Sequence, residues 1–423
     1  MKLFGTDGVR GRVGEPPLTP SVLRGLGGSL RNFYGDGAVF IVRDTRESGP
    51  ELVEALANGL GGEVMDLGVL PTPALSAMLA DGKGVGGVAI TASHNPWHDN
   101  GVKVLLSSGR KPSPDQERRI EAGTDDSSWS WGATLRVRSR DDGLEDYLRI
   151  VESEVRGLWL HDLKIAVDCA NGAAFRSAPE MLRRLGAKVH AIGIEPDGRN
   201  INEGLGAVHP EVLAKVVVDE GCDLGICLDG DADRCVLIDR NGRILDGDAI
   251  LWMLRHPQGV VGTVMSNAAL ERRLGEEKIP FIRAGVGDRQ VSSAMLERRW
   301  QVGGEPSGHI LVPSGFPTGD GLLTALRVLE KDPMLHEALA DWVPDPSALV
   351  NAKVASRPPL ETIPGLAEAQ SAALQDGATR VFLRYSGTEP KLRTLVEARS
   401  QADADRHAQA LSQLAASAIE AMA

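Results

Sequence analysis

Three stretches of the chain share one alternation of apolar and polar positions. Each has a short β-branched apolar run, a polar turn, a stretch with helical spacing, and then a second apolar run. A run of period two or of continuous Val and Ile reads as a strand and a 3.6-residue period as a helix, so each stretch predicts a βαβ unit. The first is Val39-Phe40-Ile41-Val42, the turn Arg43-Asp44-Thr45-Arg46-Glu47 and a helix opened by Ser48-Gly49-Pro50-Glu51. The second is Ile165-Ala166-Val167-Asp168, the turn Cys169-Ala170-Asn171-Gly172 and a helix opened by Ser177-Ala178-Pro179-Glu180. Both openings set a serine three residues before a glutamate, the spacing of a capping box, with proline early in the first turn. The third stretch, Val260 to Ser266 running into Asn267-Ala268-Ala269-Leu270-Glu271, repeats the plan without that box. The last segment differs: Val381 to Ser386 and Leu392 to Ala398 predict strands, and Ala402 to Met422 a closing amphipathic helix.

Turn-rich connectors at Gly123–Ser128 and Val343–Ser347 separate these blocks. The organisation they predict is an α/β fold of three consecutive similar α/β domains with mixed sheets, at 1–138, 139–240 and 241–346, followed by a C-terminal α+β domain at 347–423. A chain of 423 residues is long enough for that number of cores at ~150 residues each.

Composition narrows the functional classes. No stretch approaches the ~18 consecutive apolar residues of a membrane span, so no membrane partner is expected. The start, Met1-Lys2-Leu3-Phe4-Gly5, has no apolar run behind its lysine, and a cytoplasmic protein is expected. Cysteines 169, 222, 227 and 235 form no C-x-x-C pair, which predicts reduced, buried thiols. The balance of 46 Lys and Arg against 58 Asp and Glu gives a net charge of −12, with no basic block, so no nucleic acid is expected. An anionic small molecule remains compatible, provided that cations gather locally in loops.

Four loops carry candidate chemistry. The apolar run Gly87-Val88-Ala89-Ile90 delivers Thr91-Ala92-Ser93-His94-Asn95-Pro96, in which Pro96 stops the strand and Ser93 is presented at its end. A serine needs a base or a strong electrostatic environment to act as a nucleophile, and His94 points elsewhere if the strand alternation continues. Leu224-Gly225-Ile226-Cys227 leads into Leu228-Asp229-Gly230-Asp231-Ala232-Asp233-Arg234. Like charges so close raise one another's pKa, and a hard divalent cation with oxygen ligands relieves them. A calcium loop of the EF-hand type is excluded, because Arg234 and Arg240 stand where that motif needs Gly and Glu. Gly303-Gly304-Glu305-Pro306-Ser307-Gly308-His309 offers a carboxylate, a hydroxyl and an imidazole suited to sugar hydroxyls. Arg384-Tyr385-Ser386-Gly387-Thr388-Glu389-Pro390-Lys391-Leu392-Arg393 has the guanidinium, hydroxyl and backbone donors of a phosphate clamp. The G-x-G-x-x-G of Gly82–Gly87 is followed by a strand, where a dinucleotide fingerprint requires a helix.

A phosphorylated Ser93 facing the three aspartates would carry roughly −5 of charge, more than one divalent cation neutralises. Arg10, Lys103 and Arg234 adjoin these loops and are the candidate counter-charges.

Read together, FGTDGVRG, TASHNP with DNGVK after it, DGDADR, GEPSGH and RYSGTEP resemble the signature loops of the α-D-phosphohexomutase family, in family order and along essentially the whole chain. The stretches NGAAFRSAPE, EPDGRNINEGLGAVHPE and GVGDRQV point within it to the branch acting on glucosamine phosphate; Pro306 leaves a glucose or mannose phosphate open. The resemblance implies four domains around a central cleft and a phosphosugar mutase. Ser93 would give and take the phosphoryl group, and Asp229, Asp231 and Asp233 would hold one Mg²⁺ with the phosphoserine. Arg234, Glu305, Ser307 and His309 would contact sugar, while Arg384, Ser386, Gly387, Thr388 and Arg393 would clamp the non-reacting phosphate. Lys103, Arg10, His94 and His309 are the acid, base and charge-stabilising candidates beside Ser93. It further implies a hexose 1,6-bisphosphate as intermediate and activator, a phosphosugar as the small-molecule partner, and a monomer or homodimer.

Overall fold

The computed structural model describes residues 2–5, 7–124, 136–140, 142–312, 316–335, 342–386 and 390–422. The chain divides into two units, Met1–Met265 with Ile279–Ala340, and Ser266–Lys278 with Asp341–Ala423.

The first unit holds three sheets built on one plan. In the first, the order Asp99–Leu106, Gly86–Ile90, Val39–Arg43, Glu63–Val69 is extended by Val9–Arg12 at one edge and Arg136–Ser139 at the other. In the second, Cys235–Asp239, Leu224–Leu228, Lys164–Asp168 and Lys188–Ile192 follow the same order, with Ile244–Leu245 added. In the third, the order is Ile310–Leu311, Val302–Gly304, Val260–Thr263, Phe281–Ala284. Taken in chain order, the four repeated strands within 39–106, 164–239 and 260–311 pair the first three in parallel and the fourth antiparallel to the third. The mixed sheets match the expected α/β class. Consequently the serine, aspartate and Glu-x-x-x-His loops occupy one topological place, the turn between the third and fourth strands of successive repeats.

The central strands read as unbroken apolar runs because helices cover both sheet faces. Val39, Ile41, Val88 and Ile90 are fully buried, as are Ile165, Val167, Ile226 and Leu228. Helix Pro20–Tyr34 opens on Thr19, whose hydroxyl accepts from the Val22 amide, and packs against helix Gly49–Leu60 through small residues. A Cβ on Gly59 would lie 2.0 Å from the Arg24 carbonyl oxygen, so the two backbones meet there. Gly59→Ala is expected to cost about 1–3 kcal/mol by overpacking. Denaturant unfolding should show a lower midpoint for this domain, with the specific activity of folded protein unchanged.

Neither expected capping box forms. Ser48 lies at the N-cap of its helix without a capping bond, and its hydroxyl instead accepts from Asn100 Nδ2 at 2.9 Å. Ser177 is the first residue inside its helix, which Arg176 precedes. In both repeats the proline and the buried helix face set the start, so tertiary packing replaces the cap. Gly123 and Thr124 close helix Pro114–Thr124; the rest of that predicted connector lies outside the described residues.

In the second unit, Ala378–Tyr385 and Ser347–Lys353 flank Lys391–Ala398 in an antiparallel sheet, and helix Gln401–Ala421 buries Leu411, Ala415 and Ile419. Helix Ala268–Glu276, capped by Asn267, belongs to the same unit; the Ala268 amide donates to Glu397 Oε2 at 2.7 Å. Among the described residues, no helix is long and apolar enough to cross a membrane. All four cysteines are free and buried.

Candidate active site

Ser93 follows the strand Gly86–Ile90 with a left-handed backbone, φ 53°. Its side chain is thereby turned off the strand alternation and is wholly buried. The hydroxyl donates to Asp229 Oδ2 at 2.6 Å, across 136 residues of sequence. The expectation that His94 points elsewhere is corrected: its Nδ1 lies 3.3 Å from Ser93 Oγ, because the left-handed turn at Ser93 breaks the strand alternation.

Asp229, Asp231 and Asp233 follow strand Leu224–Leu228 and offer three carboxylate oxygens within 4.8 Å of one another. All three residues are buried. Lys103, on the neighbouring strand Asp99–Leu106 and itself buried, reaches Asp231 at 2.8 Å, Asp233 at 2.9 Å and Asp7 at 3.0 Å. Thr72 Oγ1 donates to Asp231 at 2.6 Å. Burial and the charges of Asp233 and Asp231 push Asp229 up to about 7. Burial works against the charge on Lys103, but Asp231, Asp233 and Asp7 outweigh it and hold the ammonium well above its usual range. The same contest ends with Asp233 well below the carboxylate range, held there by Lys103 and His309.

These residues fit a hard divalent cation. The donors are carboxylate oxygens, and Asp231 Oδ1 is buried with no hydrogen-bond partner among the described residues. Such an orphaned acceptor is costly without an electropositive partner.

A cavity of about 390 Å³ adjoins the trio, lined by Asp7, Arg10, His94, Lys111, Asp233, Arg234, Asp288, Glu305 and His309. Arg10 donates to Asp7 at 2.5 Å and to the Ala92 carbonyl at 3.2 Å. His309 Nδ1 lies 3.5 Å from Asp233 Oδ1, and Arg234 Nε 3.8 Å from the same oxygen. Glu305 Oε1 accepts from the Gly287 amide at 2.8 Å. Burial, together with Arg234 and Arg10, lowers His94 to about 4, so this imidazole is neutral at pH 7 and can accept a proton or a hydrogen bond.

The structure therefore brings Ser93, Lys103, Arg10, His94, Asp229, Asp231, Asp233, Arg234, Glu305 and His309 together. Ser307 is exposed and does not line the cavity. In the second unit, Arg384 and Arg393 sit opposite each other on paired strands, and burial and then the Arg393 charge lower the Arg384 pKa. Ser386 is buried beside them, its amide bonded to the Lys391 carbonyl at 2.9 Å. Gly387 and Thr388 lie outside the described residues.

Three site residues escaped the sequence reading. Asp7 accepts from Lys103, Arg10 and Lys111, and Lys111 also bridges to Asp288 at 2.5 Å. The GTDG turn and the GVGDR turn were the signals for Asp7 and Asp288; Lys111 lies in an ordinary polar loop that carries none.

The four domain descriptions of one family match this chain in order. They are "Phosphoglucomutase/phosphomannomutase, alpha/beta/alpha domain I" at 1–130, domain II at 145–242, domain III at 247–344, and the C-terminal domain at 349–414. This chain belongs to the phosphoglucomutase/phosphomannomutase family. Among curated relatives of the family, it is 42% identical to the phosphoglucosamine mutase of Marinomonas sp. (strain MWYL1), over 96% of this chain and 95% of the relative. It is 42% identical to that of Bordetella pertussis, over 97% and 98%. Among solved structures, a phosphoglucomutase/phosphomannomutase family protein from Burkholderia thailandensis superposes with TM-score 0.79 at 26% identity, covering 98% of this chain and 97% of that one. Aspergillus fumigatus N-acetylphosphoglucosamine mutase, in complex with GlcNAc-6P and magnesium, shares the fold with TM-score 0.65 at 19% identity, covering 99% and 96%. The α-D-phosphohexomutase resemblance of the signature loops is thus borne out, with the three α/β sheets and the different C-terminal sheet that it implied.

Proposed function

We propose that this protein interconverts glucosamine 6-phosphate and glucosamine 1-phosphate, passing the phosphoryl group through Ser93. One observation carries the reading: a buried serine hydroxyl sits 2.6 Å from a buried three-aspartate cluster, beside a cavity into which Arg10, Lys111 and Arg234 bring positive charge. Full-length identity of 42% to phosphoglucosamine mutases supports the amino-sugar substrate.

In the forward direction the Ser93 phosphoryl group passes to the C1 hydroxyl of glucosamine 6-phosphate. The O–P bond at Ser93 breaks, a new one forms at O1, and the hydroxyl proton leaves to a base. The resulting 1,6-bisphosphate then returns its 6-phosphoryl to Ser93 Oγ, the sugar O6 takes up a proton, and glucosamine 1-phosphate departs. A hexose 1,6-bisphosphate therefore also primes Ser93.

Asp229, Asp231 and Asp233, with the phosphoserine, would hold Mg²⁺, which supplies charge stabilisation to the transferring phosphoryl group. Lys103 holds Asp231 and Asp233 in place and offsets their charge. Arg10 and Arg234 present guanidinium groups to the cavity, where an anionic substrate needs them. Glu305 and His309 face the same space and suit sugar hydroxyls, and the 3.3 Å approach of His94 Nδ1 to Ser93 Oγ supports a hydrogen-bonding role for His94 at the nucleophile. Arg384, Ser386, Gly387, Thr388 and Arg393 would clamp the second phosphate. The four buried free thiols agree with a cytoplasmic protein.

Removing divalent cations with EDTA is expected to abolish turnover and to lower the thermal midpoint, with Mg²⁺ restoring both; an unchanged midpoint on Mg²⁺ addition would count against a site at the trio. Substrate identity is tested by comparing glucosamine, glucose and mannose 6-phosphates with Mg²⁺ and a bisphosphate primer. Glucosamine 6-phosphate should give the highest kcat/KM, and equal or better turnover of mannose 6-phosphate would overturn the choice.

A further inference from the structure

Four backbone carbonyl oxygens in the Ser93 loop are held by one buried side chain. Arg46, itself 1% exposed, donates to the carbonyls of Ser93 at 3.1 Å, Asn95 at 2.8 Å and Asp99 at 3.0 Å, and to that of Pro96. Its Nε pairs with Asp44 Oδ2 at 2.9 Å, and the same oxygen accepts from Thr91 Oγ1 at 2.7 Å. Thr91 Oγ1 in turn accepts from the Ser93 amide at 2.9 Å. The loop is thus gripped at both the N–H and the C=O of its nucleophile.

A second hand comes from the second α/β repeat, from the turn between strand Lys188–Ile192 and helix Pro210–Asp219. Asn202 Nδ2 donates to the Ser93 carbonyl at 2.9 Å and to the Asn95 carbonyl at 3.2 Å. Asn202 is buried with a left-handed backbone, φ 59°, a conformation that asparagine tolerates better than most residues. Gly230, between two metal-loop aspartates, leaves room for the meeting: a Cβ there would lie 2.5 Å from the Ser93 oxygen and 2.8 Å from Asn202 Nδ2.

We infer that Arg46 and Asn202 are positioning residues, a clamp from loops of two repeats that holds the strained Ser93 turn so that its hydroxyl meets the aspartate loop. The inference rests on Ser93 being the phosphoryl carrier. Two consequences follow from the geometry. The left-handed turn at Ser93 is unfavourable for a non-glycine residue and persists only where its surroundings over-determine it, which these bonds do. A displacement of about 1 Å at a reacting atom costs on the order of a hundredfold in rate, so the clamp governs kcat rather than substrate affinity.

The test compares the unaltered protein with Asn202→Ala and Arg46→Lys, by thermal midpoint, by kcat and KM, and by single-turnover transfer of phosphoryl from glucose 1,6-bisphosphate to Ser93. Asn202→Ala should keep KM within about twofold, while kcat and the rate of Ser93 phosphorylation fall together by about 10- to 100-fold in folded protein. Arg46→Lys should fall further, since an ammonium cannot span the four carbonyls; should it fail to fold, Asn202→Ala decides alone. Ser93 labelling within twofold of the unaltered protein in folded Asn202→Ala would overturn the clamp while leaving the mutase reading intact. Absence of label in the unaltered protein would overturn both.

Discussion

The Ser93→Ala protein is expected to fold as the unaltered one does and to isomerise sugar phosphate at least about a thousandfold more slowly. The reasoning is local. Among the described residues, Ser93 Oγ donates to Asp229 Oδ2 and lies 3.3 Å from His94 Nδ1. Deleting the hydroxyl removes one hydrogen bond to a buried carboxylate, worth about 1–3 kcal/mol, and leaves the Arg234 amide still bonded to Asp229 at 3.3 Å. A thousandfold loss corresponds to about 4 kcal/mol of lost barrier reduction, the scale expected when the covalent carrier itself disappears. Steady-state turnover and circular dichroism on the same preparation check it; near-native turnover would remove Ser93 from the mechanism.

The second large effect belongs to Lys103→Met. The buried ammonium is shared by Asp7, Asp231 and Asp233, so its loss leaves like charges facing one another without a counter-ion. Breaking a buried ion cluster in this one-sided way costs about 3–5 kcal/mol. Because the folded pKa of Lys103 lies above the unfolded value, its contribution is fully present below the unfolded lysine range and hence throughout neutral pH. In the variant the unpaired carboxylates have folded pKa values raised above their unfolded ones, so the penalty grows as pH rises. The gap in thermal midpoint between Lys103→Met and the unaltered protein should therefore narrow from pH 7 to pH 5, and narrow again with added Mg²⁺. A gap that widens on acidification would contradict this electrostatic account. Catalytic loss should exceed the stability loss, since the aspartates would no longer be held in place.

Much of this was legible because the loops that matter follow apolar strand runs that end in glycine and proline. TASHNP and DGDADR declare a turn by composition and a chemistry by side chain, and three repeats of one strand order place three of the loops equivalently. What the sequence hid was convergence. Lys111 and Asp288 are 177 residues apart and meet in the cavity wall, which no local period records. Ser48 and Ser177 satisfied the capping spacing, yet tertiary partners claimed one hydroxyl and the helix absorbed the other residue. Ser307 shares a loop with Glu305 and His309 but faces solvent, because the loop turns between them. The role of Arg46 was masked by its place in a turn full of charges, where a guanidinium bonded to backbone carbonyls looks like any surface arginine.

The convergence of Ser93 with the aspartates on one cation is tested most directly by anomalous diffraction from crystals of the phosphorylated protein soaked in Mn²⁺. The account predicts a single strong anomalous peak bonded to Asp229, Asp231, Asp233 and the phosphate on residue 93. A peak elsewhere, with the trio empty, would contradict it.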